Sequence, residues 1–427
     1  MRVVHISSSE GTAPFRIHTG LRRIGVDSSM WVTRRRREDP SVALFEIAQT
    51  RRDTLRRRFR QARMRRAIAR YEQAKIFEAF VDDRTMHGGD LLPQLPRADI
   101  IHVHVLHHVA DFDIFHRTVP LRVPVVRTLH DEHFFTGGCT QDGGCQRYLT
   151  GCGCCPQLGS NHDDDLSRQS WLRKRRALEG VPPGRLSLVA PSRWLAEIAR
   201  RSPLHESIPI TVIPLGIDTS VFRPLNRLFA RRVLGIPAEA KVVAFVAEPI
   251  HRANKGFATL VKALDGSRTG QDSDTSIWLL SAGSGRIPVP VPVPHRRLGR
   301  VSDERFMALL YNAADVFALP SLQENCPQTA IEALACGVPV VGSETGGVPE
   351  IVRVGRTGIL VPPGSVPSLR EAMRTLFVDE AQRRQLGGQG REVAAEEYAL
   401  DIQARRYLAV YQEMLEPAGQ SMNGLVI

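Results

Sequence analysis

Two carboxylates stand eight residues apart around one predicted strand-to-helix corner. The apolar run VFALPS predicts a strand, and a helix should start near Pro327, which suits a first helical position, and stop at Gly337. Unpaired N–H groups at such a helix start attract phosphate. Glu324 and Glu332 would repel phosphate, so we expect them to accept hydrogen bonds from vicinal hydroxyls on either side of it, as in a nucleotide sugar. A capping glutamate beside a solvent-facing helical one fits the same spacing.

Five of the seven cysteines fall within residues 139–155. MRVVHIS begins without the pattern of a secretory leader, so we expect a cytoplasmic protein, in which clustered thiols favour metal binding or burial over disulfides. The expected ligands of a structural zinc are Cys139, Cys145, Cys152 and Cys155. Cys152 and Cys155 have the C-x2-C spacing of a chelating pair. Cys154 could replace a neighbour, and free thiols or an iron–sulfur cluster are the alternatives.

The formal charge of +12 is concentrated in one segment. Residues 51–70 carry ten arginines and one aspartate, and residues 34–39 add a further +2. A basic segment on a nearly neutral body suits contact with an anionic membrane surface better than a nucleic-acid groove. Its apolar side chains fall on two opposite helical faces, so a solvated arginine-rich helix fits equally well. These side chains are Leu55, Phe59 and Ala62 on one face, and Met64, Ala67, Ile68 and Tyr71 on the other.

Short apolar runs alternate with longer helical patterns, which predicts an α/β fold with parallel sheets covered on both faces. The predicted strands are RVVHIS, SSMWVT, IIHVHV, PVVRTL, LSLVAP and ITVIP, then VVAFVA, IWLLSAG, VFALPS, VPVVGS and GILVPP. Since the series restarts after residues 216–238, two doubly wound domains are expected. The run IPVPVPVPH lacks every second N–H and predicts an extended loop.

The Glu324 and Glu332 pattern, followed by ALACGVPVV and GGVPE, resembles the signature of family 4 of the retaining glycosyltransferases. These enzymes have the GT-B fold, two Rossmann-like domains facing a central cleft. Further segments follow in the family's order: VAPSRWL, IPLGIDTSVFRP, NKGFATLVKAL, SAGSG, LGRVSDERFMALLYNAADVFALPS and EEYALDIQARRYLAVYQEML. TLHDEHFFTGGC followed by CGCCPQLG resembles a branch that builds bacterial exopolysaccharide, including colanic-acid-type transferases.

The resemblance implies an organisation along the chain. Residues 1–215 would form an acceptor-side domain, and residues 216–395 a domain that binds the nucleotide sugar. Residues 396–415 would be a helix that crosses back to the first domain, and residues 416–427 are expected to be a disordered tail.

The resemblance also implies roles for single residues. Glu332 would bind the donor ribose, Glu324 the transferred sugar, Lys255 the diphosphate, and His104 the sugar from the first domain. Arg252 would replace an arginine that the family carries before its Lys-Gly pair, near the position of Glu248 in this chain. The remaining donor-binding positions would be Gly11, Gly283, Gly285, Asn325, Cys326, Gln328, Gly346 and Gly347.

The resemblance therefore implies transfer of a sugar from a nucleotide donor to a saccharide acceptor, with retention of configuration. We expect a lipid-linked acceptor, no divalent cation in the chemistry, and a protein that is cytoplasmic or peripheral on the inner membrane face. An epimerase or a phosphorylase of the same fold is an alternative. A zinc-bearing nucleic-acid-binding protein is another, which the near-neutral remainder of the chain disfavours.

Overall fold

The computed structural model describes residues 1–71, 80–265 and 276–416. The chain divides into two compact units, the first formed by Met1–Ile213 and the segment from Gln403 onward, and the second by Pro214–Ile402. The boundary thus falls two residues before the predicted one. Apart from Glu416, the predicted disordered tail lies outside the described residues.

The first unit contains a parallel sheet of seven strands in the order β3-β2-β1-β4-β5-β6-β7. The strands are β1 (Arg2–Ser9), β2 (Asp27–Arg34), β3 (Val42–Leu44), β4 (Ile100–Val103), β5 (Val125–Thr128), β6 (Leu186–Ala190) and β7 (Ile210–Val212). Its helices are α1 (Thr12–Arg23), α2 (Arg51–Ile68), α3 (Phe112–Thr118), α4 (Leu166–Glu179) and α5 (Arg193–Arg200), with 3-10 turns at Leu92–Gln94, Arg147–Thr150 and Pro156–Leu158. The strand order reverses between β1 and β4, so the loops at their carboxyl ends diverge there, as in doubly wound folds.

The second unit contains a parallel sheet of six strands in the order β10-β9-β8-β11-β12-β13. The strands are β8 (Lys241–Val246), β9 (Ile277–Ala282), β10 (His295–Arg297), β11 (Val316–Leu319), β12 (Val340–Ser343) and β13 (Gly358–Val361). The helices are α6 (Arg227–Leu234), α7 (Phe257–Asp265), α8 (Glu304–Ala313), α9 (Gln328–Ala335), α10 (Val348–Ile351), α11 (Val366–Val378) and α12 (Glu380–Glu397), with a 3-10 turn at Ala253–Lys255. The order reverses between β8 and β11.

The last helix, α13 (Leu400–Leu415), packs onto the first sheet through two fully buried tyrosines. The hydroxyl of Tyr411 lies 2.7 Å from His102 Nδ1, and that of Tyr407 lies 2.8 Å from Thr128 Oγ1. These bonds satisfy polar groups inside an apolar cluster. From Gln403 onward the helix is therefore part of the first unit.

The predicted α/β class is confirmed, and each of the eleven predicted strands lies on an observed one. The two strands that were not predicted, β3 and β10, have three residues each and lie at sheet edges, where a short run carries little pattern. The proline run remains a loop until His295 and packs its valines against the core. Among the described residues, none of the helices combines the length and hydrophobicity needed to cross a bilayer.

Candidate active site

A tight turn places Lys255 beside the end of β11. Gly256 follows it with φ of +72°, and a Cβ there would overlap the carbonyl oxygen of Pro320. Only glycine fits this conformation and this contact. The N–H of Leu322 donates to the carbonyl of Asn254 at 2.7 Å. The backbone around Lys255 is therefore fixed against the loop after β11.

The ammonium of Lys255 forms an ion pair with the carboxylate of Glu324. Nζ lies 2.6 Å from Oε1, and the hydroxyl of Ser321 donates to the same oxygen at 3.1 Å. The side chains of Lys255 and Glu324 keep 21% and 13% of their surface exposed, so both groups remain accessible to a ligand. The structure thus brings together two residues that were predicted separately to serve the donor.

The predicted glycine pair contacts the backbone of Glu324. Gly347 donates its N–H to the Glu324 carbonyl at 3.0 Å, and a Cβ at Gly346, where φ is +55°, would overlap the same oxygen. The hydroxyl of Thr345 donates to the carbonyl of Leu322 at 3.0 Å. Packing against the loop explains these glycines, and their contact with a ligand stays a prediction.

Helix α9 starts at the predicted corner. Pro327 is its N-cap residue, and among the described residues no side chain caps it, so Glu324 does not. Glu332 is 6% exposed and accepts a hydrogen bond from the hydroxyl of Tyr311 at 2.8 Å. The alternative of a capping glutamate beside a solvent-facing one is therefore wrong. Sequence spacing could not reveal Tyr311, because it lies on α8.

The turn with Gly283 and Gly285 holds Glu248. The N–H of Ser284 donates to Glu248 Oε2 at 3.2 Å, and its hydroxyl donates to Oε1. A Cβ at Gly283 would overlap a carbonyl just after β8, and one at Gly285 would overlap the ring of His251. Glu248 is therefore engaged by Ser284. The close carbonyl at Gly283 and the φ of +91° at Gly285 already favour glycine at these two positions.

Four other predicted donor-site residues flank the corner. Arg252 precedes the 3-10 turn that ends at Lys255, and Asn325, Cys326 and Gln328 connect the loop after β11 to α9. All four are partly exposed. Burial of its sulfur raises the pKa of Cys326 to about 12, so it presents a neutral thiol. Their contacts with a donor stay predictions.

In the first unit, His104 is the middle member of a hydrogen-bonded chain of three histidines. Its Nε2 lies 2.9 Å from His5 Nδ1, and its Nδ1 lies 3.0 Å from His130 Nε2. Burial lowers the pKa of His5 and His104 well below the usual value and that of His130 to about 4. Each bond then joins one N–H to one bare nitrogen, so the tautomers of the three rings are linked.

Sequence reasoning missed His5 and His130. The register of β1 and β4 places His5 opposite His102, and His130 follows β5 much as His104 follows β4. These histidines are far apart in sequence, so only the order of the strands in the sheet reveals that they lie side by side. The sugar contact expected of His104 stays a prediction.

One ring nitrogen from each of His5, His102 and His104 lies within 4.8 Å of the other two, a spacing at which the three could share a metal ion. Hydrogen bonds already explain this geometry. His5 and His104 bond to each other, and His102 bonds through Nδ1 to Tyr411 and through Nε2, at 2.7 Å, to Thr128. We therefore assign no metal to these histidines.

Gly11 is the N-cap residue of α1, with φ of −64°. A Cβ there would meet Pro14 at 3.5 Å, an ordinary contact. The preceding Glu10 is buried and accepts the N–H groups of Arg36 and Arg37. The fold therefore does not require glycine at position 11, and its role near a diphosphate stays a prediction.

All seven cysteines are free thiols. The four expected zinc ligands, Cys139, Cys145, Cys152 and Cys155, line one small pocket of the first unit. The thiol of Cys154 instead donates to Asp163 Oδ1 at 3.2 Å. The hypothesis that Cys154 replaces a neighbour is therefore not supported by its orientation.

Residues 240–379 match the family model described as Glycosyl transferases group 1, which places the match within the second unit. Among curated proteins, the D-inositol 3-phosphate glycosyltransferase of Corynebacterium glutamicum is 33% identical over 195 residues, covering 42% of this chain and 46% of that protein. The chain spans about half the length of the curated relatives it matches.

Solved structures resemble the chain over nearly its whole length. Sucrose-phosphate synthase from Thermosynechococcus elongatus has a TM-score of 0.65 at 19% identity, covering 97% of this chain and 99% of that chain. Anabaena HepE in complex with UDP-glucose has a TM-score of 0.64 at 15% identity, and the match covers 96% of this chain and 99% of that chain. At these identities the likeness shows the fold alone, and it confirms the predicted GT-B fold.

Proposed function

We propose that this protein, whose residues 240–379 match the group 1 glycosyltransferases, transfers a sugar from a nucleotide-sugar donor to a saccharide acceptor with retention of configuration. The observation that carries the proposal is the 2.6 Å pair of Lys255 and Glu324 beside the amino end of α9. A cation, a carboxylate and a helix start at one corner suit a ligand that joins phosphates to sugar hydroxyls.

The diphosphate of the donor is proposed to bind at Lys255. A charge-assisted contact from its ammonium would stabilise the departing nucleotide as negative charge grows on it. The amino end of α9 adds the positive end of a helix dipole, although Pro327 itself has no N–H to donate. These groups provide the charge compensation that a divalent cation provides in metal-dependent transferases, so we propose no metal in the chemistry.

The two carboxylates are proposed to bind hydroxyl groups of the donor. Glu332, whose carboxylate is held by Tyr311, would accept from the ribose hydroxyls. Glu324, held by Lys255 and Ser321, would accept from the transferred sugar. Each carboxylate is already held by a protein hydrogen bond or ion pair, so it loses little further side-chain entropy when the nucleotide sugar binds. This favours accurate placement of the sugar.

Retention is proposed to proceed by front-face attack. In this mechanism the acceptor hydroxyl attacks the anomeric carbon from the side of the leaving phosphate, and that phosphate takes the hydroxyl proton. The pairing of Glu324 with Lys255 supports this choice, because a carboxylate bound to an ammonium is a weaker nucleophile than a free one.

The acceptor is proposed to be a lipid-linked saccharide of exopolysaccharide or another surface glycan. The curated relatives are named for D-inositol 3-phosphate, and that acceptor belongs in the same test. We propose that α2 attaches the enzyme to an anionic membrane surface. None of its residues is buried, and Leu55 and Phe59 are 65% and 70% exposed beside exposed arginines.

The experiment is a donor and acceptor screen with product analysis. Purified protein is incubated with UDP-, GDP-, ADP- and dTDP-sugars, first alone to detect slow hydrolysis and then with lipid-linked saccharides or D-inositol 3-phosphate. A retained glycosidic linkage formed only with an acceptor supports the proposal. Inverted products would refute retention, phosphate-dependent cleavage would indicate a phosphorylase, and acceptor-independent change of the sugar would indicate an epimerase.

A further inference from the structure

Four cysteines of the first unit surround a space of atomic size. Cys139, Cys145, Cys152 and Cys155 line a pocket of about 20 Å³. A volume of this size holds one water molecule or one ion and excludes an organic ligand. These cysteines lie in residues 137–159, the middle of the connection between β5 and α4, which we call the cysteine loop.

Two of the sulfurs already contact each other. The thiol of Cys139 donates a hydrogen bond to the sulfur of Cys155. Cys154 lies directly before Cys155 but turns its thiol to Asp163. The cysteine loop therefore separates four converging thiols from a fifth that points elsewhere.

Backbone N–H groups point at three of the four sulfurs. Gly137 donates its N–H to the sulfur of Cys152 at 3.2 Å. Gln157 and Leu158 donate theirs to the sulfur of Cys155, and Arg147 donates its N–H to the sulfur of Cys145. These N–H groups orient the sulfurs and would remain hydrogen-bond donors to them after a metal ion has displaced the thiol protons.

The backbone of the cysteine loop adopts conformations that its residues disfavour. All non-glycine residues with positive φ among those described lie here, namely Gln146 at 55°, Cys152 at 61° and Cys154 at 43°. Gly153 lies between the last two, and a Cβ there would overlap the carbonyl of Asp163. Strained conformations of this kind persist where other interactions determine the geometry, and they cluster at functional sites.

A buried cation lies beside the pocket. Lys174 on α4 is fully buried and donates to the carbonyls of Thr136, at 2.9 Å, and His133. Its ammonium interacts electrostatically with Cys152. Four thiolates around a divalent ion carry a net charge of −2, and a buried ammonium offsets part of it.

We propose that Cys139, Cys145, Cys152 and Cys155 bind one zinc ion in a closed tetrahedral site. Four thiolates fill the coordination sphere of zinc and leave no position for water, so the site is structural. The four sulfurs line one pocket of single-ion size, and zinc binding would require their side chains to converge on its centre.

The zinc would anchor the basic helix α2. Ala67, Ile68 and Tyr71 at its carboxyl end pack against a cluster that includes Cys155 and Leu158. The hydroxyl of Tyr71 also accepts the first N–H of α4. Loss of the metal is therefore expected to loosen α2 as well as the cysteine loop.

The test measures metal in the full-length protein purified under reducing conditions without a polyhistidine tag. We expect about one zinc per chain by mass spectrometry, released in full when a mercurial modifies the thiols, as a colorimetric zinc indicator reports. Cys145→Ser is expected to bind zinc at least tenfold more weakly. Cys154→Ser is the matched control, because Cys154 precedes the ligand Cys155 but its thiol points to Asp163. This variant should bind zinc with the stoichiometry and affinity of the wild type.

A second readout does not depend on the folding of variants. Removal of zinc from the wild type should accelerate tryptic cleavage within α2, and added zinc should reverse it. The proposal is overturned if the wild type holds no stoichiometric zinc even after incubation with zinc salt, if iron occupies the site instead, or if Cys145→Ser and Cys154→Ser bind zinc equally.

Discussion

Lys255 Nζ lies 2.6 Å from Glu324 Oε1, although the two residues belong to loops that follow different strands, β8 and β11. These strands are neighbours at the point where the order of the second sheet reverses. Parallel neighbours end at the same edge, so the loops that follow them meet there. The pair fixes the geometry of both side chains before a ligand arrives.

Removal of the Lys255 charge should impair turnover far more than stability. Lys255→Met is expected to lower kcat/KM about 10²- to 10³-fold, the usual cost of losing one electrostatic contact to a leaving group. Steady-state kinetics and thermal unfolding measure the two effects. Lys262→Met, an exposed lysine on α7, is the control and should behave like the wild type. Wild-type kinetics in Lys255→Met would show that the diphosphate binds elsewhere.

Loss of the Glu332 carboxylate should weaken nucleotide binding. Glu332→Ala is expected to cost about 1 to 3 kcal/mol, because the ribose hydroxyls lose an ionised acceptor. Tyr311→Phe should cost less, since it removes only the group that orients the carboxylate. Calorimetry with the nucleoside diphosphate of the preferred donor measures both. Glu396→Ala, an exposed glutamate on α12, is the control, and equal affinities in all three variants would contradict the ribose assignment.

Two glycines should respond differently to alanine. Gly256→Ala places a Cβ against the carbonyl of Pro320 at positive φ, so it should both destabilise the second unit and abolish activity. Gly11→Ala meets only Pro14 at 3.5 Å, so the fold should tolerate it. If the donor diphosphate lies against the backbone of Gly11, the alanine variant should have a higher KM for the donor and an unchanged melting temperature. An unchanged KM would remove Gly11 from the donor site.

A buried histidine should make stability depend on pH. His116 packs between Phe112 and Phe115 at centroid distances of 4.8 and 5.2 Å, and burial lowers its pKa to about 3. Within the described chain neither ring nitrogen has a hydrogen-bond partner. The unfolded chain therefore binds a proton below pH ~6.5 that the folded chain does not, so the free energy of unfolding falls as pH falls from there towards 3.

His116→Leu should remove this dependence without breaking a hydrogen bond. When the pH is lowered from 7 to 4.5, the free energy of unfolding should fall by about 2 to 3 kcal/mol less in the variant than in the wild type. Urea unfolding at both pH values measures the difference. His162→Leu, whose ring lies in water, is the control. Parallel pH profiles of wild type and His116→Leu would mean that His116 is protonated alike in both states.

The exposed face of α2 should bind anionic lipid. At about 1 kcal/mol per basic residue near the surface, even half of its arginines would give measurable attachment. Protein should float with phosphatidylglycerol liposomes at low salt and be released at high salt. Leu55→Ser with Phe59→Ser should weaken flotation, whereas Leu121→Ser, equally exposed elsewhere in the first unit, should not. Equal flotation with neutral liposomes would argue against the electrostatic attachment.

Much of the fold could be predicted from the sequence, because apolar runs and glycine positions are local signals. The eleven strands and the start of α9 after Pro327 follow from such runs and from proline geometry. The edge strands β3 and β10 were not predicted, since three residues show little period. β7 is equally short, and its prediction came from the longer run ITVIP.

The sequence by itself determined which residue types carry the chemistry: the two glutamates of the corner, the Lys-Gly turn, the arginine-rich helix and the clustered thiols. Only the tertiary structure decided their partners. It paired Lys255 with Glu324, buried Glu332 against Tyr311, joined His104 to His5 and His130, and turned Cys154 away from the pocket. Identity and spacing are written along one chain, whereas a hydrogen bond or an ion pair depends on distances that arise only when strands from remote segments become neighbours.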